Sequence, residues 1–421
     1  MSKIILDLSI NFIVTLYSMV LHARRFGVTK IMSCQPDDDV FDPARFKCKL
    51  QGVYKSIDVN VKRSDTTDKT QVLLNYDGYN KANSASTLKL STSGTTGQGL
   101  SFPVDQEFLR AQWSVFRKQF EECGVYGSWR VQFGGRDVKV LGKRFNVVLD
   151  YFDKKVITNQ YSLGDVQVQR LAEICKRKQI YWLHGYPSMI YEFLSIWDKL
   201  YQAGKLNFEP ADFIVTVSSE TLTKQVRKEL LNLGAKKIFD MYGQTEGVAN
   251  FFTCQHGRMH VHEDFSLVEF IYNGTAYDII GTSIKNKLFQ FYRYKTGDTV
   301  EEVNIGDCPC GRKSRTVKGL TGRSEDYVIT TTGFKVGRLD HLTKGDDRIK
   351  RAQIIQNKIG IADFIIQCDP DHASEIIKDI KKRCHAYFGD ELHFNFILSS
   401  DFELKSNGKF TFVINKIKSH Q

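Results

Sequence analysis

Glycines and hydroxyl side chains crowd one short stretch, Ser91-Thr92-Ser93-Gly94-Thr95-Thr96-Gly97-Gln98-Gly99. The glycines let the backbone fold back with its N–H groups pointing inward as an anion nest, and the hydroxyls add donors. Such a loop suits a polyphosphate. No Gly-Lys-Ser/Thr follows it, so it is not a Walker loop. Further along lie more segments with chemical potential: Ser218-Ser219-Glu220, Tyr242-Gly243-Gln244-Thr245-Glu246 and Tyr292-Arg293-Tyr294-Lys295-Thr296-Gly297-Asp298. They hold aromatic rings, hydroxyls and carboxylates.

The elements around these segments are predicted to place them together. A strand-like run, Thr87 to Leu90, leads into the Gly-rich loop. Asp165 is expected to cap a helix carrying Leu171 and Ile174, and the apolar run Ile180 to Leu183 ends at His184-Gly185-Tyr186-Pro187. Phe213 to Val217 reads as a buried strand, Thr223 to Leu233 as a helix with Gly234 at its C-terminal cap, and Lys237 to Met241 as the next strand. Strand, helix and strand in this rhythm imply parallel pairing with right-handed crossovers. Ligands of such sheets bind beyond the carboxyl ends of the strands, where the polar segments fall. The last hundred residues differ: strands at Ala352 to Gln356 and Ile361 to Gln367, a helix from His372 to Phe388 and a strand near Leu392 to Leu398 make a small α+β module. The expected fold class is α/β, with a large domain over residues 1–324 and a small α+β C-terminal domain over 325–421.

Composition sets the broad class. Hydrophobic residues at 42% with 25% charged residues exclude a disordered or collagen-like chain. Nine irregularly spaced Cys read as reduced thiols of a cytoplasmic protein. The formal charge of +11 admits nucleic acid, anionic membrane or anionic small substrates. The cations are scattered, however, and their short clusters, Lys176–Lys178 and Lys381–Arg383, fall at expected helix ends; no nucleic-acid recognition module accompanies them. The apolar run Leu8 to Leu21 is too short to span a bilayer. Asp7, Asn11 and Ser18 share one helical stripe, and Leu8, Phe12, Leu16 and Met19 another, so a packed amphipathic helix is expected, with peripheral membrane association as the alternative. Phe251-Phe252 and Phe289 to Tyr292 read as core strand residues.

From about Leu88 to Ile417 the sequence resembles the adenylate-forming superfamily of acyl-CoA ligases, and within it the phenylacetate–CoA ligases and the CapK-like capsular polysaccharide proteins. Thr92 to Gly97 match the family's phosphate loop, while Gln98 and Gly99 depart from its Lys-Pro ending. Gly134-Gly135-Arg136 and Gly185-Tyr186-Pro187-Ser188 are similar to segments of the CapK-like branch. The resemblance implies that Thr92, Ser93, Gly94, Thr95, Thr96 and Gly97 hold phosphates. It implies that Tyr242, beside Gly243, stacks on adenine, that Thr245 contacts the α-phosphate, and that Glu246 holds Mg²⁺. Ser219 and Glu220 stand where the family has a Gly-Glu pair near the adenine. Asp298 becomes the acceptor of the ribose hydroxyls, Arg323 a nucleotide contact, Glu325 the hinge position, and Lys409 the catalytic cation.

The resemblance also implies a structural Zn²⁺ on Cys254, His260, Cys308 and Cys310, with His256 or His262 able to replace His260; unliganded thiols are the alternative. The implied reaction activates a carboxylic acid with ATP, releasing pyrophosphate, and passes the acyl group to coenzyme A. An amine or sugar acceptor in polysaccharide assembly is a second reading. The departures at Gln98 and Ser219 motivate a third, a nucleotide-binding scaffold without turnover.

Overall fold

The computed structural model describes residues 11–20, 41–56, 65–82, 88–92, 100–134, 139–140, 143–144, 146–158, 163–220, 222, 224–320, 327–333, 335–337, 339–343, 346, 348–403 and 412–417. Its packing divides the chain into two units. One comprises Met1–Leu90, Ser101–Asn159 and Leu163–Gly322; the other comprises Ser91–Leu100, Gln160–Ser162 and Arg323–Gln421.

The first unit is built on a ten-stranded sheet. Its middle strands, Ala235–Gly243, Phe213–Ser218, Trp182–Gly185, Arg130–Phe133 and Lys155–Thr158, lie side by side and pair parallel. Antiparallel strands flank them, with Val147–Asp150 at one margin and Asn250–Thr253, Met259–Val261, Thr316–Lys318 and Glu302–Asn304 toward the other. A second, three-stranded antiparallel sheet is formed by Ser266–Tyr272, Tyr277–Ser283 and Tyr294–Val300. Strands buried on both faces need largely apolar runs, and Phe213 to Val217 is apolar except at the buried Thr216. Val215 and Val217 pack with Leu171, Ile190, Phe193 and Trp197 from the crossover helices Asp165–Lys178 and Pro187–Gln202.

Several local expectations are corrected. Gly164 is the N-cap of the helix Asp165–Lys178, and Asp165 sits in its first turn, where its charge complements the dipole. Phe289 to Tyr292 are largely core, with Phe289, Phe291 and Tyr292 fully buried, but they lie outside the named strands; Phe289 makes only an isolated bridge to Asn80. Lys381 to Arg383 fall within the helix Ala373–Phe388 and not at its end, and Arg383 donates to the Leu342 carbonyl at 3.0 Å. The stretch 11–20 is helical, but its apolar stripe is exposed and its polar stripe is bonded to the sheet. The eight cysteines among the described residues are all free thiols.

The second unit carries a four-stranded sheet ordered His393–Leu398, Ile361–Cys368, Ile349–Lys358 and Val413–Asn415. Helix Ala373–Phe388 covers it, sending Ile376, Ile380, Cys384 and Phe388 into a core with Ile354, Phe364 and Ile366. The alternation of apolar residues in the two long strands produces that one-sided core.

Candidate functional site

Strand register brings three chain segments to a common edge. Gly185 pairs with Val217, and Ser218 with Met241, so the parallel strands finish nearly level. Gly185 cannot be replaced there: it has φ of +136°, and a Cβ would lie 1.6 Å from the Phe133 carbonyl oxygen. Beyond the ends, the Ser188 N–H donates to Glu220 Oε2 at 3.3 Å. Ser219 adopts φ of +74°. A serine held in this left-handed region stores on the order of 1 kcal/mol, where the family pattern has glycine.

Tyr242 stands on the same edge, on the strand Ala235–Gly243, which runs past the expected Met241. Its hydroxyl donates to Asp298 Oδ2 at 2.8 Å. Asp298 comes from the three-stranded sheet, so two motifs far apart in sequence meet directly. Gln244 Nε2 ties them, lying 3.0 Å from both the Tyr242 hydroxyl and Asp298 Oδ2. Thr296 fixes the other side: its hydroxyl donates to the Ile279 carbonyl and accepts the Asp298 N–H at 3.1 Å. Burial, reinforced by the Asp298 charge, holds the Tyr242 hydroxyl well above its usual range, so it remains a donor at neutral pH. The Tyr242 ring leans on Phe251, with centroids 4.9 Å apart. Glu246 Oε1 accepts from the Tyr294 hydroxyl at 3.4 Å, linking a third motif residue to the strand that carries Asp298. Gln244 and Thr296 lie outside the expected set. Both stand inside the quoted motifs, one at a position the family leaves variable.

Near the edge lies a further polar cluster that the motifs do not mark. His184 Nδ1 and Trp182 Nε1 both meet the Thr216 hydroxyl, at 2.7 and 2.8 Å. Burial, aided by Arg130, lowers the His184 pKa to about 3, so the imidazole is neutral at physiological pH.

The expected phosphate loop is described only at its base, where the Thr92 N–H donates to the Leu100 carbonyl at 2.9 Å and the Leu100 N–H to Thr92 Oγ1 at 3.2 Å. Ser93, Gly94, Thr95, Thr96 and Gly97 lie outside the described residues, as do Arg323, Glu325 and Lys409.

The cysteines and histidine form a separate, compact cluster. The ligand atoms of Cys254, His260, Cys308 and Cys310 all lie within 4.8 Å of one another. Cys254 Sγ is 3.7 Å from Cys308 Sγ, and Cys310 Sγ is 3.4 Å from His260 Nε2. Two turns present the thiols, one closed by the Cys254 N–H to the Arg258 carbonyl and one by the Gly311 N–H to the Cys308 carbonyl. Arg258 joins them through the Asp307 carbonyl at 3.0 Å. Ser314 Oγ holds His260 Nδ1 at 3.0 Å, leaving Nε2 toward the sulfurs. Of the alternatives, His262 is engaged elsewhere, against Gln119 and stacked on Phe252, and His256 is exposed.

The architecture is the fold of adenylate-forming ligases. It superposes on 2-hydroxyisobutyryl-CoA ligase in complex with 2-HIB-AMP and CoA in the thioesterification state with a TM-score of 0.55 at 13% identity, covering 97% of this chain and 90% of that one. The same ligase in its postadenylation state with 2-HIB-AMP gives 0.52 at 13% identity, with 88% of each chain covered. Residues 328–416 match the CapK C-terminal domain. Over 371 residues the chain is 23% identical to Protein CapK of Staphylococcus aureus, spanning 85% of this chain and 81% of that protein. The chain thus has the fold of adenylate-forming ligases, and it is similar to CapK over most of its length and to the CapK C-terminal domain over residues 328–416.

Proposed function

We propose that the protein is an adenylate-forming ligase that activates a carboxylic acid with ATP as acyl-AMP, releases pyrophosphate, and transfers the acyl group to coenzyme A. The observation that carries this reading is the direct bond between Tyr242 and Asp298 at the carboxyl edge of the parallel strands. In the proposed complex Tyr242 faces the adenine and Asp298 exchanges part of its donor set for the ribose hydroxyls, work suited to an ionised carboxylate. Gln244 and Thr296 hold that carboxylate before the nucleotide arrives, so little reorganisation is needed on binding. Glu246 offers one carboxylate to Mg²⁺, which when bound supplies positive charge against the phosphates. Thr92 to Gly97 are proposed to donate to the phosphates, with Thr245 on the α-phosphate and Ser219 and Glu220 beside the base. Arg323 is proposed as a nucleotide contact, Glu325 as the hinge and Lys409 as the catalytic cation. Residues 1–324 are proposed as the adenylation domain and 325–421 as a mobile lid. Coenzyme A as acceptor is supported by the related ligase, whose complex contains it.

The test is ATP–pyrophosphate exchange over a panel of aryl and aliphatic acids. Exchange dependent on one class of acid is expected. Measurable ATP binding with no exchange for any acid would overturn the reading and favour a scaffold.

We further propose that Cys254, His260, Cys308 and Cys310 hold a structural Zn²⁺. Their mixed sulfur and nitrogen donors and short mutual separations suit a tetrahedral ion, and Ser314 supplies the orienting partner of the imidazole. Purified protein is expected to contain about one equivalent of zinc. Cys310→Ser should lose it and melt at lower temperature. Less than about half an equivalent in the parent protein counts against the four-ligand set.

A further inference from the structure

The helical stretch 11–20 meets the large sheet through its polar side. Asn11 Oδ1 accepts the Leu149 N–H at 2.9 Å, Thr15 Oγ1 accepts the Tyr151 N–H at 3.1 Å, and Ser18 Oγ donates to Asp150 Oδ2. Val147–Asp150 is the marginal strand of the sheet, so its outward N–H groups require acceptors from outside it. Side chains at these three positions supply the fit. They also fix the rotation of the helix, which turns Phe12, Leu16, Tyr17, Met19 and Val20 to the surface, with Phe12 68% and Tyr17 66% exposed.

The apolar face continues onto the turn after the strand, where Tyr151 and Phe152 are exposed. Cations border it. Lys178 Nζ lies 4.2 Å from the Trp129 ring centroid and 4.9 Å from that of Tyr151, and the exposed Lys154 is anchored on the Gly127 carbonyl at 2.9 Å. Nearby carboxylates are neutralised within the protein: Asp153 pairs with Arg130 and Lys155, and Asp150 with Lys155. Trp129, Tyr151 and Lys154 stand at the end where the parallel strands begin, and the nucleotide motifs at the end where they finish. Apolar side chains on one helix face, aromatic rings with polar tips and snorkelling lysines are what a bilayer interface selects.

We propose that this face docks on a membrane surface. The exposed stripe of residues 11–20 enters the headgroup boundary, and Lys154 and Lys178 meet anionic phospholipid headgroups. The formal charge of +11 acts in the same direction. The polar side of the stretch is bonded to the sheet, so it lies along the interface with its apolar side toward the lipid.

The experiment is co-sedimentation of the full-length protein with phosphatidylcholine vesicles, with or without about one third phosphatidylglycerol, at about 0.1 M salt. Binding to the anionic vesicles is expected, with pure phosphatidylcholine at least about tenfold weaker. Phe12→Ser with Leu16→Ser should lower binding about tenfold or more, and Lys154→Glu with Lys178→Glu likewise. Phe12, Leu16 and Lys154 are exposed, and near-ultraviolet circular dichroism with retained ATP binding verifies that both variants fold. Absence of parent binding to anionic vesicles, or equal binding by the variants, overturns the proposal. So does a dimer that the Phe12/Leu16 variant converts to monomer without any vesicle binding, since a second copy would then be the occupant.

Discussion

Alanine at Lys409 is expected to slow acyl-adenylate formation about 10²- to 10³-fold while changing ATP affinity less than about threefold. The ammonium is proposed to meet charge that develops as the carboxylate attacks the α-phosphate, so its contribution belongs to the transition state and not to the ground state. Only such a differential interaction lowers the rate without weakening binding. Single-turnover formation of acyl-AMP, measured beside ATP titration, separates the two. Lys405→Ala in the same sequence segment is the control and should retain near-parent rates. Equal losses of rate and affinity in the Lys409 variant would show that the residue supports the loop or the fold instead.

The largest stability effect is expected at a buried ion pair. Glu263 and Arg315 form a two-pronged pair, with Nε to Oε1 and Nη2 to Oε2 both at 2.8 Å and side chains only 5% and 7% exposed. Arg315 also donates to the Val268 carbonyl at 2.8 Å and lies over the Phe41 ring at 4.0 Å. Glu263→Ala leaves this guanidinium buried beside aromatic rings without its carboxylate, which costs about 3–5 kcal/mol. An exposed pair of similar length, Lys318–Glu302, is 70% and 50% exposed. Solvent screens it, so Glu302→Ala should leave the unfolding midpoint nearly unchanged. Denaturant unfolding of both variants checks the contrast; comparable midpoints would mean that the interior pair is already well solvated. Replacing both interior partners together, as Glu263→Leu with Arg315→Met, should recover much of the loss, because no uncompensated charge then remains.

The alternation of strands and helices through residues 165 to 243 was legible because burial on both sides of a parallel strand demands an uninterrupted apolar run. Phe213 to Val217 meets that demand except at the buried Thr216, and the strand ends at Ser218. Helix ends were less secure. Gly164 took the cap expected of Asp165, since both residues suit a helix start and only the chain path chooses between them. Phe289 to Tyr292 show the limit of the aromatic signal, which reports burial more faithfully than backbone pairing. In the candidate site, the family resemblance and not residue type or spacing singled out Tyr242, Glu246 and Asp298, whereas Gln244, at a position that the family leaves variable, carried no signal of its own.

Local chemistry therefore determined a good deal unaided: which segments alternate, where polar residues interrupt them, and that the helix at 11–20 has two unlike faces. Tertiary structure decided how those pieces meet. It turned the apolar face of that helix outward because the marginal strand's N–H groups needed acceptors. It set Tyr242 against Asp298 across two sheets, and it selected His260 from three histidines near the thiols. Periodicity and residue type encode what each segment can satisfy. Which partner satisfies it depends on strand register and chain path, and these bring together groups that lie far apart along the sequence.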